Sequence, residues 1–183
     1  MQLFGSRKGE RNFWEELDGI RYDNLFIFDE LGWNFEPSEL GAAFGLEQLK
    51  KLPQNYAARQ ANFACYTAYL SQHPETFVVP RQTEHLSTAW LSYPFLVRPD
   101  AGFGRSDLQH YLEQRGIETR TVWTGNAVRQ PMMHEVSYRA PAAGLPNADR
   151  VMENGMLVSC SHGIDVDDIS WVCENIEAFL QGR

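Results

Sequence analysis

Four polar side chains stand out for the chemistry they could support: Asn34, Arg120, Asn126 and Arg129. The two arginines bracket a turn-rich stretch that ends Thr124-Gly125-Asn126-Ala127-Val128-Arg129-Gln130-Pro131. Each guanidinium presents a permanent charge on a planar fork of donors, the shape that grips a diphosphate. The same groups serve equally as surface ion-pair partners. Asn126 either orients its own loop or hydrogen-bonds a sugar hydroxyl. Trp123 offers a face for stacking on a base or sugar, with core packing as the plainer account. His162, beside a helix entry, is either an acid–base group or a structural one. Asn34 reads by itself as a turn or helix-entry residue.

Other chemistries have less support. Cys65, Cys160 and Cys173 are odd in number and widely spaced, which matches neither a disulfide framework nor a zinc pattern, so they read as small core hydrophobes. A formal charge of -8 disfavours nucleic acid, whose phosphates call for clustered Lys and Arg. No apolar run approaches the roughly 20 residues needed to span a bilayer, and the first residues do not read as a secretory signal, so a cytoplasmic protein is expected. At 183 residues, with 43% hydrophobic and 13% aromatic side chains, the chain is long and apolar enough to bury a core.

The elements that would position these residues follow from pattern. Pro37 and Ser38 start a helix that Pro53 interrupts, with Leu40, Ala43, Phe44, Leu46, Leu49 and Leu52 on a broad apolar face and Gly41, Ala42 and Gly45 permitting close approach. A second helix is expected from 53 to about 72. Leu25-Phe26-Ile27-Phe28 and Phe77-Val78-Val79 read as short strands, and 89–98 as the best strand, with Pro94 placing it at an edge or bulge. Ser106 should cap a helix that Gly116 stops, and 117–122 alternates as a strand, completing a β-α-β unit. A short helix opens at Pro146, a strand returns at 156–159, and Asp165 with Asp168 forms a near capping box for the last helix, whose buried stripe is Ile169, Val172, Ile176, Phe179 and Leu180.

The segment Gly32-Trp33-Asn34 through Gln48-Leu49 matches G-x-N-x-x-x-(S/T)-x-x-x-A-A-x-G-x-x-Q-L. It thereby resembles the vitamin B6-dependent sugar-nucleotide aminotransferases and dehydratases, the family named after DegT, DnrJ and StrS. Gly116-Ile117 with Thr119-Arg120, Gly125-Asn126, Arg129-Gln130-Pro131, Leu145-Pro146-Asn147-Ala148-Asp149 and Ser159-Cys160-Ser161-His162 continue the likeness, closest to the 3-dehydratase branch. The resemblance implies an α/β protein with a small mixed or antiparallel sheet packed with helices and preceded by long interdomain helices. Residues 1–52 would be a remnant of the large cofactor domain with a dimer-interface helix, and 53–183 the C-terminal small domain. It implies pyridoxal 5'-phosphate (PLP) as cofactor, held in part by Asn34 reaching across a homodimer. It also implies a nucleotide-sugar substrate, a 4-keto-6-deoxyhexose, contacted by Arg120, Asn126 and Arg129. The family's Schiff-base lysine, or the histidine replacing it, has no counterpart here. Lys8, Lys50 and Lys51 stand in the wrong contexts, so no catalytic residue is assigned. Residues 1–33 hold no cysteine, unlike the cluster-bearing dehydratases. The expectation is the C-terminal part of such an enzyme, inactive by itself. The alternative is an inactive binding or regulatory module of the same small-domain fold.

Overall fold

The computed structural model describes residues 14–23, 33, 35 and 37–183. The expected strand at 25–28, Lys8 and Asn34 lie outside them. The chain divides into two units, Met1–Lys50 and Lys51–Arg183. In the first, β1 (Trp14–Leu17) and β2 (Ile20–Asp23) form an antiparallel hairpin whose register closes at Leu17 opposite Ile20. The two connecting residues, Asp18 and Gly19, both have positive φ (52° and 77°), as a two-residue hairpin turn with the twist of its strands demands. Periodicity alone does not reveal this hairpin, whereas its Asp-Gly pair is a turn signal.

Helix α1 runs without a break over Glu39–Leu70 and carries Pro53 inside it. The expected interruption is therefore corrected. Pro53 gives up one N–H donor, but good helix formers on both sides, from Leu46 to Lys51 and again from Ala57, sustain the ladder across the gap. Leu40, Phe44, Leu46, Leu49 and Leu52 are all exposed.

The second unit is built on a four-stranded antiparallel sheet in the order β3-β4-β6-β5, with β3 at Phe77–Val78, β4 at Ser92–Val97, β5 at Thr119–Thr121 and β6 at Gly155–Ser159. β4 and β5 both run antiparallel to β6, so they are parallel to each other with β6 inserted between them. The expected β-α-β unit exists, but it is split by a later strand. β4 is thus not a sheet edge, which corrects the reading of Pro94. Its partner β3 reaches only Val97 and Leu96, so the strand is open on that side at Pro94 and the missing donor costs no ladder bond.

One face of the sheet carries Tyr93, Phe95, Val97, Met156 and Val158, alternating along β4 and β6 as a half-covered sheet requires. Tyr66 and Leu70 of α1, Leu108 and Leu112 of α2 (Arg105–Glu113), and Ile169, Val172, Ile176 and Phe179 of α4 (Val166–Gln181) join them in one core. Each fully buried side chain of this size contributes about 1.5–3 kcal/mol. The start of α2 is set by Asp107, whose carboxylate accepts from Gly104 N at 2.8 Å, and not by Ser106. Asp165 and Asp168 form the expected capping box on α4: Asp165 Oδ1 accepts from Asp167 N and Asp168 N, both at 3.0 Å, and Asp168 Oδ2 accepts from Asp165 N at 3.0 Å. Asn62 is buried on α1 and donates to the carbonyls of Ser161 and Ile164 at 2.9 and 3.2 Å, fixing the turn that leads into α4.

The three cysteines are free. Cys160 is fully buried and Cys173 half-buried, and burial pushes their thiols up to about 11 and about 12, the behaviour of packing groups rather than nucleophiles.

Candidate functional site

The edge strand β5 ends at Thr121, opposite Met156 at the start of β6. The chain then has to turn within a few residues to reach α3 (Pro146–Asn154), which leads directly into β6. Glycine makes that turn possible. Gly125 has φ +64°, and a Cβ placed on it would stand 2.3 Å from the Cα of Met152, so loop and helix backbones touch there. Two short 3-10 turns follow, Ala127–Arg129 and Pro131–Met133.

This approach delivers Asn126 to Asp149 in the first turn of α3, where the helix dipole favours a carboxylate. Asn126 is 2% exposed. Its Nδ2 donates to Asp149 Oδ1 at 2.7 Å, while its own Oδ1 accepts from Val128 N at 3.2 Å and caps the first 3-10 turn. Arg129 closes the arrangement from the other side, with Nε to Asp149 Oδ1 and Nη2 to Asp149 Oδ2, both 2.9 Å. The hydrogen bonds from Arg129 and then Asn126 hold the Asp149 carboxyl down to about 2. The same hydrogen bond to Asp149 raises the Arg129 guanidinium further above its ordinary value. The bidentate pair uses one edge of the guanidinium, and Nη1 takes no part in it.

Around these three residues lies an open cleft of about 360 Å³, lined by apolar groups including Ala140, Ala143 and Pro146 and by Tyr138. The lining combines the Arg129–Asp149 ion pair, Asn126 and Tyr138 with apolar groups, and the edge of Arg129 turned away from Asp149 is the part of it suited to an anionic ligand that carries a less polar body.

Of the residues singled out from the sequence, Asn126 and Arg129 come together here. Arg120 does not: it sits exposed on β5, donates to Glu118 and to the Thr119 carbonyl, and is absent from the cleft walls. Trp123 is 84% exposed, which overturns core packing as its role. His162 accepts at Nδ1 from Arg59 Nη2 at 3.2 Å, since a guanidinium can only donate, and that contact ties its loop to α1. Asp149 and Tyr138 were not singled out. Asp149 lies in the Leu-Pro-Asn-Ala-Asp run, and its place three residues after a helix-opening proline is the signal that points to it. No sequence signal marks Tyr138. Among the described residues there is no cluster of metal-ligating groups, and no helix is long and apolar enough to cross a membrane.

Residues 1–177 match the DegT/DnrJ/EryC1/StrS aminotransferase family. The lipopolysaccharide biosynthesis protein RfbH of Salmonella typhimurium is 29% identical over 93% of this chain and 39% of its own length. The dTDP-4-dehydro-2,6-dideoxy-D-glucose 3-dehydratase of Saccharopolyspora spinosa is 34% identical over 87% of this chain and 34% of its own. Among solved structures, the E. coli GDP-4-keto-6-deoxy-D-mannose-3-dehydratase with bound hydrated PLP superposes with a TM-score of 0.72 at 30% identity, covering 82% of this chain and 38% of that one. The chain therefore spans between a third and two-fifths of the length of these relatives. Their fold is that of fold-type I PLP enzymes, to whose C-terminal part the small sheet and helices described above correspond.

Proposed function

Since the chain belongs to the DegT/DnrJ/EryC1/StrS aminotransferase family, we propose that it forms the C-terminal, substrate-facing part of a PLP-dependent enzyme acting on a nucleotide-activated 4-keto-6-deoxyhexose. The reaction is 3-dehydration or transamination in the making of a deoxysugar, carried out in the cytoplasm by a homodimer whose subunits share their sites. The observation that carries this reading is the Asn126–Asp149–Arg129 assembly at the cleft. It is a fixed cation beside a recess of sugar-sized volume, in a family whose relatives named above act on dTDP- and GDP-linked sugars.

On this reading the cofactor's anchor is not among the described residues. Lys50 pairs with Glu47 at 2.5 Å and Lys51 stands exposed beside it on α1, and no lysine lines the cleft. In the complete enzyme PLP supplies an electron sink, and the residues of this chain hold the substrate against it. Asn126 fixes the loop, Asp149 orients the guanidinium, and the free Nη1 edge of Arg129 meets the diphosphate. Asn34 contacts the cofactor phosphate of the partner subunit, and Arg120, which is outside the cleft walls, serves the substrate site only as a longer-range charge. The isolated chain is inactive on this reading.

Calorimetric titration of the chain with a dTDP- or GDP-linked 4-keto-6-deoxyhexose tests it. The expected outcome is saturable binding that Arg129→Ala weakens by about tenfold. Equal affinities for the two chains would remove Arg129 from the substrate site and the proposal with it.

A further inference from the structure

Among the described residues, three non-glycine positions have positive φ: Asp18, His85 and Trp123. Asp and His are types that tolerate the left-handed region, but for a bulky aromatic it is an outlier. Trp123, at φ +43°, is held there by its surroundings. Its N–H donates to the Thr121 carbonyl at 2.8 Å, its own carbonyl accepts from Thr121 Oγ1 at 2.9 Å, and two residues later Gly125 is pressed against Met152. A strained, clamped backbone normally serves what its side chain does. Here the side chain stands 84% exposed. Along the chain, Arg120, Thr121 and Thr124 beside it are also exposed, so the indole is one apolar ring in a polar stretch. That setting suits a small planar ligand edged with polar atoms rather than an apolar protein surface, which would require a contiguous patch.

We propose that Trp123 is the stacking platform for the nucleobase of the nucleotide-activated sugar. The inference rests on the function proposed above. Trp123 is not one of the residues lining the cleft, but the ring is carried on the same turn that positions Asn126 and Arg129, so base and diphosphate would be gripped from one loop. Stacking also tolerates a change of base, because every base presents a π-face. That is the requirement in a family where one relative takes a dTDP-sugar and another a GDP-sugar.

The test uses the 183-residue chain with fluorotryptophan at its five tryptophans, the Trp123 resonance being assigned by its loss in Trp123→Phe. The chain is titrated with GDP, dTDP and inorganic pyrophosphate. Both nucleotides are expected to shift the Trp123 signal and pyrophosphate to leave it in place. Trp123→Phe should retain nucleotide binding. Trp123→Asn accepts the left-handed backbone without a ring, so it should fold at least as stably as the parent while its Kd for GDP and dTDP rises about 5- to 150-fold. Unchanged nucleotide affinity in Trp123→Asn, or pyrophosphate binding as tightly as the nucleotides, overturns the stacking role. In that event the function proposed above still stands if Arg129→Ala weakens binding of the diphosphate. If neither nucleotide nor pyrophosphate binds, both fall together.

Discussion

Gly125 offers the most direct check on how the candidate site is built, because Gly116 supplies an internal control. Both glycines are left-handed, with φ +64° and +77°. Gly116 ends α2, with its N–H on the Glu113 carbonyl and the following Ile117 N–H on the Leu112 carbonyl, and a Cβ there would meet nothing within 4 Å. Gly116→Ala therefore carries the dihedral cost alone, about 1–2 kcal/mol. At Gly125 the added Cβ would lie 2.3 Å from Met152 Cα, 2.5 Å from its Cβ and 2.7 Å from its N, so it is backbone that must move. Overpacking of this kind adds about 1–3 kcal/mol, for a total of roughly 2–5 kcal/mol. In a chain of this length each kcal/mol lowers Tm by about 2–4 °C. Urea unfolding followed by circular dichroism gives the two differences directly. The displacement should also pull Asn126 and Arg129 away from Asp149, so Gly125→Ala should lose nucleotide-sugar binding while Gly116→Ala keeps it. If the two variants differ by less than about 0.5 kcal/mol, or if Gly125→Ala binds as the parent does, the close approach of loop and helix does not set the site.

Two further outcomes follow from the geometry. The Asp149 carboxyl, held down to about 2 by Arg129 and then Asn126, favours the folded state at all pH values above its ordinary range near 4, and this contribution fades as pH falls from there through about 2. A carbon-detected NMR titration should show that low midpoint, with Arg129→Ala returning it toward the ordinary carboxylate range, and an unperturbed midpoint in the parent would mean that the ion pair does not persist in solution. The exposed Leu40, Phe44, Leu46, Leu49 and Leu52 make α1 an association surface, so sedimentation should show a mass that grows with concentration and returns to monomer in the Leu46→Glu, Leu49→Glu double variant. A parent chain that is monomeric at every concentration contradicts this.

The sequence pattern reveals the small domain where local signals and tertiary packing agree. Asp165 and Asp168 announce α4, Pro146 announces α3, and the buried stripe from Ile169 to Phe179 is the one its periodicity indicates. Pattern misleads where a non-local partner decides. Pro53 is a breaker by local rules, yet α1 continues through it. Pro94 marks an edge, yet its strand is second in the sheet, because the shortness of β3 is a fact about another segment. The split of the β-α-β unit by β6 has the same origin, since nothing in residues 92–121 specifies that a strand more than thirty residues later will enter between β4 and β5.

The site was half legible for a related reason. Arg129 and Asn126 could be chosen by chemistry, but chemistry alone gives Arg120 an equal claim, and only the fold separates them. Arg129 is presented by a loop that must meet α3, because Gly125 allows the backbones to touch, whereas Arg120 lies on an edge strand with Glu118 two residues away as a ready partner. Asp149 is what converts proximity into orientation. With two oxygens it engages Asn126 and both donors on one edge of Arg129, so removing it should cost the cleft its fixed cation even though no atom of Asp149 need touch a ligand. Local preference and fold agree nearly everywhere in this loop and part company at Trp123, where a bulky side chain occupies a backbone region suited to glycine and stays in solvent. Conflicts of that kind mark the positions where function rather than stability has set the residue. In this loop the conflict falls three residues before the buried asparagine that anchors the cleft.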